Sequence, residues 1–183
     1  AGAFGNEIQD FVTTVRALNK DTGELRDFSH DECAFAYRQS FFKTHPEWIV
    51  TKAFFELLHI DAEESKRLCA ETIAEREKRH LQDVMAAGSY FMNPVAPQAV
   101  IEQFEKEKGV TARDGRVPAG WLIEKAGMKG YRVGGAQASE QHPNYIVNTG
   151  AATSSDVHEL ARHIKEAVLS QFGVELQEEA VSI

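Results

Sequence analysis

The stretch Gly88-Ser89-Tyr90-Phe91-Met92-Asn93-Pro94 places a hydroxyl between a glycine and an aromatic residue and closes on Asn-Pro. Glycine lets a backbone approach a partner closely or take a positive φ, and Asn-Pro interrupts regular structure. Ser89 is therefore expected on a tight turn, with its hydroxyl presented for chemistry. The competing reading is a loop serine that only satisfies backbone groups. Other chemistry-bearing patterns are weak. No Gly-x-Gly-x-x-Gly fingerprint is present, and Gly134-Gly135 alone is too little for a phosphate cradle. Cys33 and Cys69 fit no zinc spacing and no disulfide framework, so free thiols and no metal site are expected.

Three ordered segments carry a family resemblance. They are Phe35-Ala36-Tyr37-Arg38-Gln39-Ser40-Phe41-Phe42-Lys43, then the serine segment, then Pro118-Ala119-Gly120-Trp121-Leu122-Ile123-Glu124 with Gly127-x-Lys129-Gly130 and Gly134-Gly135-Ala136. Together they resemble the MurB family, the UDP-N-acetylenolpyruvoylglucosamine reductases of peptidoglycan synthesis, over nearly the whole chain. The resemblance implies an oxidoreductase that uses FAD, with NADPH as hydride donor, to reduce an enolpyruvyl ether to a lactyl ether.

Within it, Ser89 matches the proton donor and Arg38 the cation that stabilises the enolate, with Tyr37 in the pocket wall. Glu179 matches a carboxylate that orients the donor network. The family reads Leu-Glu-Pro-Glu-Val-Arg where this chain reads Leu176-Gln177-Glu178-Glu179-Ala180-Val181, so Glu178 takes that role if the register slips. Arg76 and Arg79 match diphosphate contacts, and Asn93 and His142 match further substrate contacts. Each has a plain structural alternative: a solvated helix face for the two arginines, a turn-shaping role for Asn93, a surface loop for His142. Flavin contacts are expected at Gly2, Ala3, Phe4, Gly5 and Gly88. The chain lacks a tyrosine-bearing loop that some relatives insert between Phe55 and Asp61. The alternative functions are a non-catalytic nucleotide-sugar-binding paralogue, or a related flavin oxidoreductase with another substrate.

The bulk properties agree with a globular protein. The 183 residues are 43% hydrophobic, with a net charge of -8, which argues against nucleic acid as a partner. No apolar run reaches the roughly 18 residues of a membrane span, and no signal peptide is visible. A cytoplasmic monomer acting on a small nucleotide sugar is the expectation. Ala1-Gly2-Ala3-Phe4-Gly5-Asn6 resembles the middle of a family segment that follows a flavin-binding domain. The resemblance therefore implies a preceding domain, and a 183-residue piece that alone neither holds FAD tightly nor catalyses.

The elements that must position these residues read as α+β. Residues 11–18 are rich in β-branched side chains and predict a strand, the cluster 19–23 a turn, and 24–28 a returning strand. Ser29 caps a short helical turn, and 48–58 predicts a long strand. Asp61 caps a helix to about His80, with Glu64 three residues on and Leu68, Ala70, Ile73 and Ala74 as its apolar stripe. Helices follow over 97–108 and 117–126, each with a proline at its start, and 145–148 predicts a short strand. The spacing of Val157, Leu160, Ala161, Ile164, Val168 and Phe172 predicts a last helix, capped by Thr153 with Asp156 and ended by Gly173; 174–176 then alternates as a strand. The expected organisation is part of a second FAD-binding domain over 1–78, a substrate-binding domain over 79–172, and a tail, 173–183, returning to the first.

Overall fold

A computed structural model describes residues 2–3, 6–79 and 84–181, in two compact units, Ala1–Ala74 and Glu75–Ile183. Both mix helices with antiparallel sheet, the α+β class read from the sequence.

In the first unit, β1 (Gly2–Ala3) and β2 (Asn6–Glu7) form a two-residue ladder, and β3 (Val12–Asn19), β4 (Leu25–Ser29) and β5 (Trp48–Phe55) form a sheet of order β4-β3-β5. The β3–β4 turn forms because Asn19 Oδ1 accepts from the amides of Asp21 and Thr22, at 3.0 and 3.1 Å. Val12, Val15, Ala17 and Phe28 bury one face with Cys33, and Phe35, Phe41, Phe42 and Trp48 close over it. The helix α1 (Phe41–Thr44) has no counterpart in the sequence reading. β5 stops at Phe55, three residues earlier than expected. Beyond it, the Glu56 amide still donates to Phe11 O, and Leu57 and Leu58 are exposed.

The helix α2 (Ala62–Arg79) starts where Asp61 Oδ1 accepts from the Glu63 amide, at 2.9 Å. The Glu64 amide also reaches Asp61 Oδ1, at 3.4 Å, and the Glu64 carboxylate pairs with Arg67. Its thin stripe is not a buried one: Leu68 and Ile73 are 43% and 56% exposed.

The second unit carries a sheet of order β6-β9-β8-β7, built from β6 (Met85–Ser89), β7 (Arg132–Val133), β8 (Ala136–Ala138) and β9 (Tyr145–Asn148). Its helices are α3 (Gln98–Lys108), α4 (Ala119–Lys125) and α5 (Ser154–Phe172). Phe91, Val117, Leu122, Ile123, Leu160, Ile164 and Val168 fill the core. The α5 signals hold in detail. Thr153 Oγ1 accepts from the Asp156 amide, Asp156 accepts from the Thr153 amide, and Gly173 ends the helix at φ +64°. The Thr153 amide, with that of Gly135, holds the Asp156 carboxyl below its usual range. Thr153→Ala is expected to cost about 1 kcal/mol, read by chemical denaturation.

One sequence expectation needs correction here. Residues 174–176 form no strand. The segment is extended and alternates, with Val174 and Leu176 buried, but its one ladder contact is a single bridge, Phe91 to Glu178. In the tail, Val174 and Leu176 lie in the core of the second unit. Apolar burial set its place, since two alternating side chains find a ready surface beside Phe91 and α5.

Candidate functional site

The serine segment is assembled from both ends of the second unit. Ser89 is the last residue of β6, opposite Tyr145, not a residue of a free turn as expected. A register irregularity between Ala86 and Ser89 coincides with Gly88 at φ +87°. Such a bulge re-aims the side chain that follows it, and Ser89 is exposed. A Cβ at Gly88 would meet nothing within 4 Å. The backbone beside the hydroxyl is thus open to close approach by a flat ring, so the residues here fit a flavin edge.

Past Ser89 the chain is held on two sides. On one, the Tyr90 amide donates to Asn144 O at 2.7 Å, and the buried Asn144 side chain pairs with both backbone groups of Phe91, at 2.9 and 2.8 Å. On the other, the C-terminal segment docks. The Met92 amide donates to Gln177 O, and the Glu179 amide donates to Tyr90 O at 2.8 Å. Glu179 is thereby bonded to the residue next to Ser89. The neighbouring acid is engaged differently. Glu178 accepts from the Tyr90 hydroxyl at 3.2 Å and from Lys165 Nζ of α5 at 3.0 Å. Burial, and then the Glu178 charge, push the Tyr90 hydroxyl up to about 12.

Asn93 and His142 lie in the same unit. Asn93 Oδ1 accepts from the Ala119 amide at 3.0 Å, supplying the N-terminal cap of α4 that Pro118 cannot, and Asn93 O accepts from Arg116. The His142 ring is 4.5 Å from that of Tyr145, and Ser139 Oγ accepts from the amides of Gln141 and His142. Gly134 and Gly135 make the β7–β8 hairpin turn and pack on the start of α5. A Cβ on Gly134 would stand 2.4 Å from Asp156 Oδ1, and one on Gly135 2.3 Å from Ala152 N.

Arg38 belongs to the first unit, and its surroundings there stand by themselves. Ala36 and Gln39 exchange two backbone hydrogen bonds, 3.1 and 2.9 Å, around a turn whose corners are Tyr37 and Arg38. Arg38 sits at φ +58°, a conformation that costs a non-glycine residue about 1 kcal/mol or more. Its guanidinium lies 5.1 Å over the Tyr37 ring, and Lys43 Nζ donates to its carbonyl.

The remaining expected sites are less informative. Gly2 and Ala3 pair with Glu7 and Asn6; Phe4 and Gly5 lie outside the described residues. Arg76 and Arg79 fall on α2, and their side chains lie outside the described residues. The first unit also contains a cavity of about 640 Å³ lined by Gln9, Asp10, Phe11, His30, Glu56 and Leu58 among others. It includes none of the expected residues. Among the described residues, no group of three His, Cys, Asp or Glu side chains is arranged to hold a metal, and no helix is long and apolar enough to cross a membrane. Sequence reasoning missed Asn144, Tyr90 and Lys165, because what marks them is a set of partners up to 88 positions away.

Comparison with known proteins places these features in context. A family model for the UDP-N-acetylenolpyruvoylglucosamine reductase C-terminal domain matches residues 79–183. The UDP-N-acetylenolpyruvoylglucosamine reductases of Pseudomonas putida and Solibacter usitatus are 37% and 34% identical over 97% and 98% of the chain. The chain spans 61% and 57% of their respective lengths. The crystal structure of UDP-N-acetylenolpyruvylglucosamine reductase (MurB) from Thermus caldophilus is similar at a TM-score of 0.71 and 31% identity. That match covers 98% of this chain and 56% of the other.

Proposed function

The chain belongs to the UDP-N-acetylenolpyruvoylglucosamine reductase family, and from that premise we propose that the intact protein reduces UDP-N-acetylglucosamine enolpyruvate to UDP-N-acetylmuramate in peptidoglycan synthesis, with FAD as cofactor and NADPH as reductant. The observation that carries this reading is the docking of the C-terminal segment on the serine strand, where the Glu179 amide is bonded to Tyr90 O one residue from Ser89.

The roles follow from the reaction's charge balance. FAD, when bound and reduced by NADPH, would supply the hydride for one vinyl carbon of the substrate. Negative charge then builds on the other carbon and on its carboxylate. The Ser89 hydroxyl gives its proton to that carbon. A serine is a poor acid in water, so the step needs contact with a strongly basic carbon more than a shifted pKa. The open backbone at Gly88 leaves room for that contact. Glu179 orients the donor, and what supports choosing it over Glu178 is that the Glu178 carboxylate is committed to Tyr90 and Lys165. A guanidinium such as that of Arg38 can take a carboxylate through two parallel hydrogen bonds. Its left-handed conformation on a hydrogen-bonded turn supports a binding role. Tyr37 walls the pocket beside it, and Asn93 and His142 border the sugar nucleotide, which Arg76 and Arg79 meet at the diphosphate.

The direct test supplies the intact protein with the enolpyruvyl substrate and NADPH in D2O. The expected product is the lactyl ether with one solvent deuterium on the protonated carbon, because a serine proton exchanges with solvent. NADPH consumption without lactyl ether, or tight binding of the substrate without turnover, would replace this reading with the oxidoreductase of other substrate or the binding paralogue.

A further inference from the structure

We propose that Asn144 is a positioning residue for Ser89, its side-chain amide standing in for a strand residue beside Phe91 and fixing the backbone that leaves the serine. Its part in the reaction rests on the function proposed above. The pairing of β6 with β9 reaches Ser89 and Tyr145 and stops there. Continued by two residues, the same register would set Phe91 against Pro143. A proline has no N–H to give, and the chain before β9 turns back, with the Tyr145 amide donating to His142 O. Phe91 is 1% exposed, so its backbone N–H and C=O need partners inside the protein.

Asn144 supplies both. A primary amide presents an acceptor and a donor side by side, as a peptide group does. Oδ1 accepts from the Phe91 amide at 2.9 Å, and Nδ2 donates to Phe91 O at 2.8 Å. Asn144 O accepts from the Tyr90 amide at 2.7 Å. One residue thus holds backbone groups of both residues that follow Ser89. The C-terminal segment holds the other edge, through Tyr90 O and the Met92 amide. On the near side of the serine the chain is compliant: Gly88 sits at φ +87° in the bulge, with nothing within 4 Å of its Cβ position. The place of Ser89 is therefore set from beyond it, by the residues that Asn144 holds. That place matters, because a misplacement of about 1 Å can cost a reaction step about 100-fold. The Asn144 side chain is buried, and α4 lies against it, since a Cβ at Gly120 would stand 3.7 Å from Asn144 Cβ.

The test compares Asn144→Ala, Asn144→Asp and Thr153→Ala with the wild type in the intact protein. Thr153→Ala loosens the α5 cap and touches none of these bonds. Hydrogen exchange at the Phe91 amide reads the strand contact. Rapid mixing reads flavin reduction by NADPH and flavin reoxidation by the enolpyruvyl substrate separately. Asn144→Ala is expected to speed Phe91 exchange about tenfold or more. It should slow reoxidation at saturating substrate about tenfold or more, with flavin reduction and KM changed less than about twofold. Asn144→Asp keeps the shape. Its protonated carboxyl offers one donor and one acceptor, as the amide does; ionised, it has acceptors only and turns one of them on Phe91 O. Burial and that repulsion disfavour the charged form, so exchange and reoxidation should match wild type at about pH 5 and approach the Asn144→Ala values by about pH 9. Each is taken as a ratio to wild type at the same pH. The titratable groups around it, His142 and Tyr145 in its own segment and Tyr90 and Glu178 on the strand and the tail, are the same in the wild type, so the ratio isolates the introduced carboxyl. Thr153→Ala should match wild type throughout. Should Asn144→Ala fail to fold, the Asn144→Asp series carries the test alone. Wild-type Phe91 exchange in the Asn144 variants at the upper pH would overturn the strand contact. Faster exchange with wild-type reoxidation would overturn the positioning role, and an equal loss at both pH values in Asn144→Asp would overturn the donor–acceptor pairing. Wild-type protein that does not reduce the substrate would instead overturn the proposed function, and Phe91 exchange would still decide the strand contact.

Discussion

Ser89→Ala in the intact protein is expected to leave flavin reduction by NADPH at its wild-type rate and to lower substrate reduction by about 10³-fold or more, within the range that a positioned proton donor contributes. The change removes one oxygen from the end of β6 and leaves the backbone bonds of Tyr90, Phe91 and Met92 in place. No core contact is lost, because the Ser89 side chain is exposed. The effect should therefore fall on kcat and not on stability. Rapid mixing separates the two half-reactions. NADPH added alone reports flavin reduction, and the enolpyruvyl substrate added to reduced enzyme reports reoxidation. Normal reoxidation by substrate in the alanine variant would remove Ser89 from the proton-donor role.

The second large effect is structural. Gly135→Ala is expected to destabilise the protein by about 3 kcal/mol, at the upper end of what overpacking costs. A Cβ there would stand 2.3 Å from Ala152 N and 2.4 Å from Ala151 C, and both are backbone atoms that cannot rotate away. The comparison is Gly109→Ala. Gly109 ends α3 at φ +66°, and its Cβ would meet nothing within 4 Å. That variant carries only the left-handed penalty, about 1 kcal/mol. For a chain of this size the two should differ in Tm by several degrees, at about 2–4 °C per kcal/mol. Equal shifts would mean that the hairpin moves off α5 at little cost.

These two positions show where the sequence was readable. Gly135 was noticed only as half of a pair too small for a phosphate cradle. Its close packing depends on Ala151 and Ala152, which reach it through the hydrogen bonds from Thr149 to Gly135 and from Gly135 to Asp156. By contrast, the α5 boundaries were legible to the residue, because a helix cap is written within four positions: Thr153, Asp156 and Gly173 carry their geometry in their own side chains or lack of one. β3 and β9 were legible for the same local reason. β7 and β8 were not, since strands of two or three residues have no period to read.

At the site the division is similar. The sequence by itself determined which residue types are available, Ser89 after a glycine, Arg38 beside a tyrosine and two adjacent acids near the end, and through motif order the family to which they belong. It left the choice between Glu178 and Glu179 open, because adjacent identical side chains differ in no local property. In the tertiary structure the docked segment brings Tyr90 and Lys165 to Glu178. The tertiary structure also moved Ser89 from a turn to the end of a bulged strand and buried Val174 and Leu176 of the tail in the second unit's core. In each case the deciding contact joins residues far apart in the chain, and the free energy that selects it, apolar burial at Val174 and Leu176 and charged hydrogen bonds at Glu178, exists only once both partners are in place.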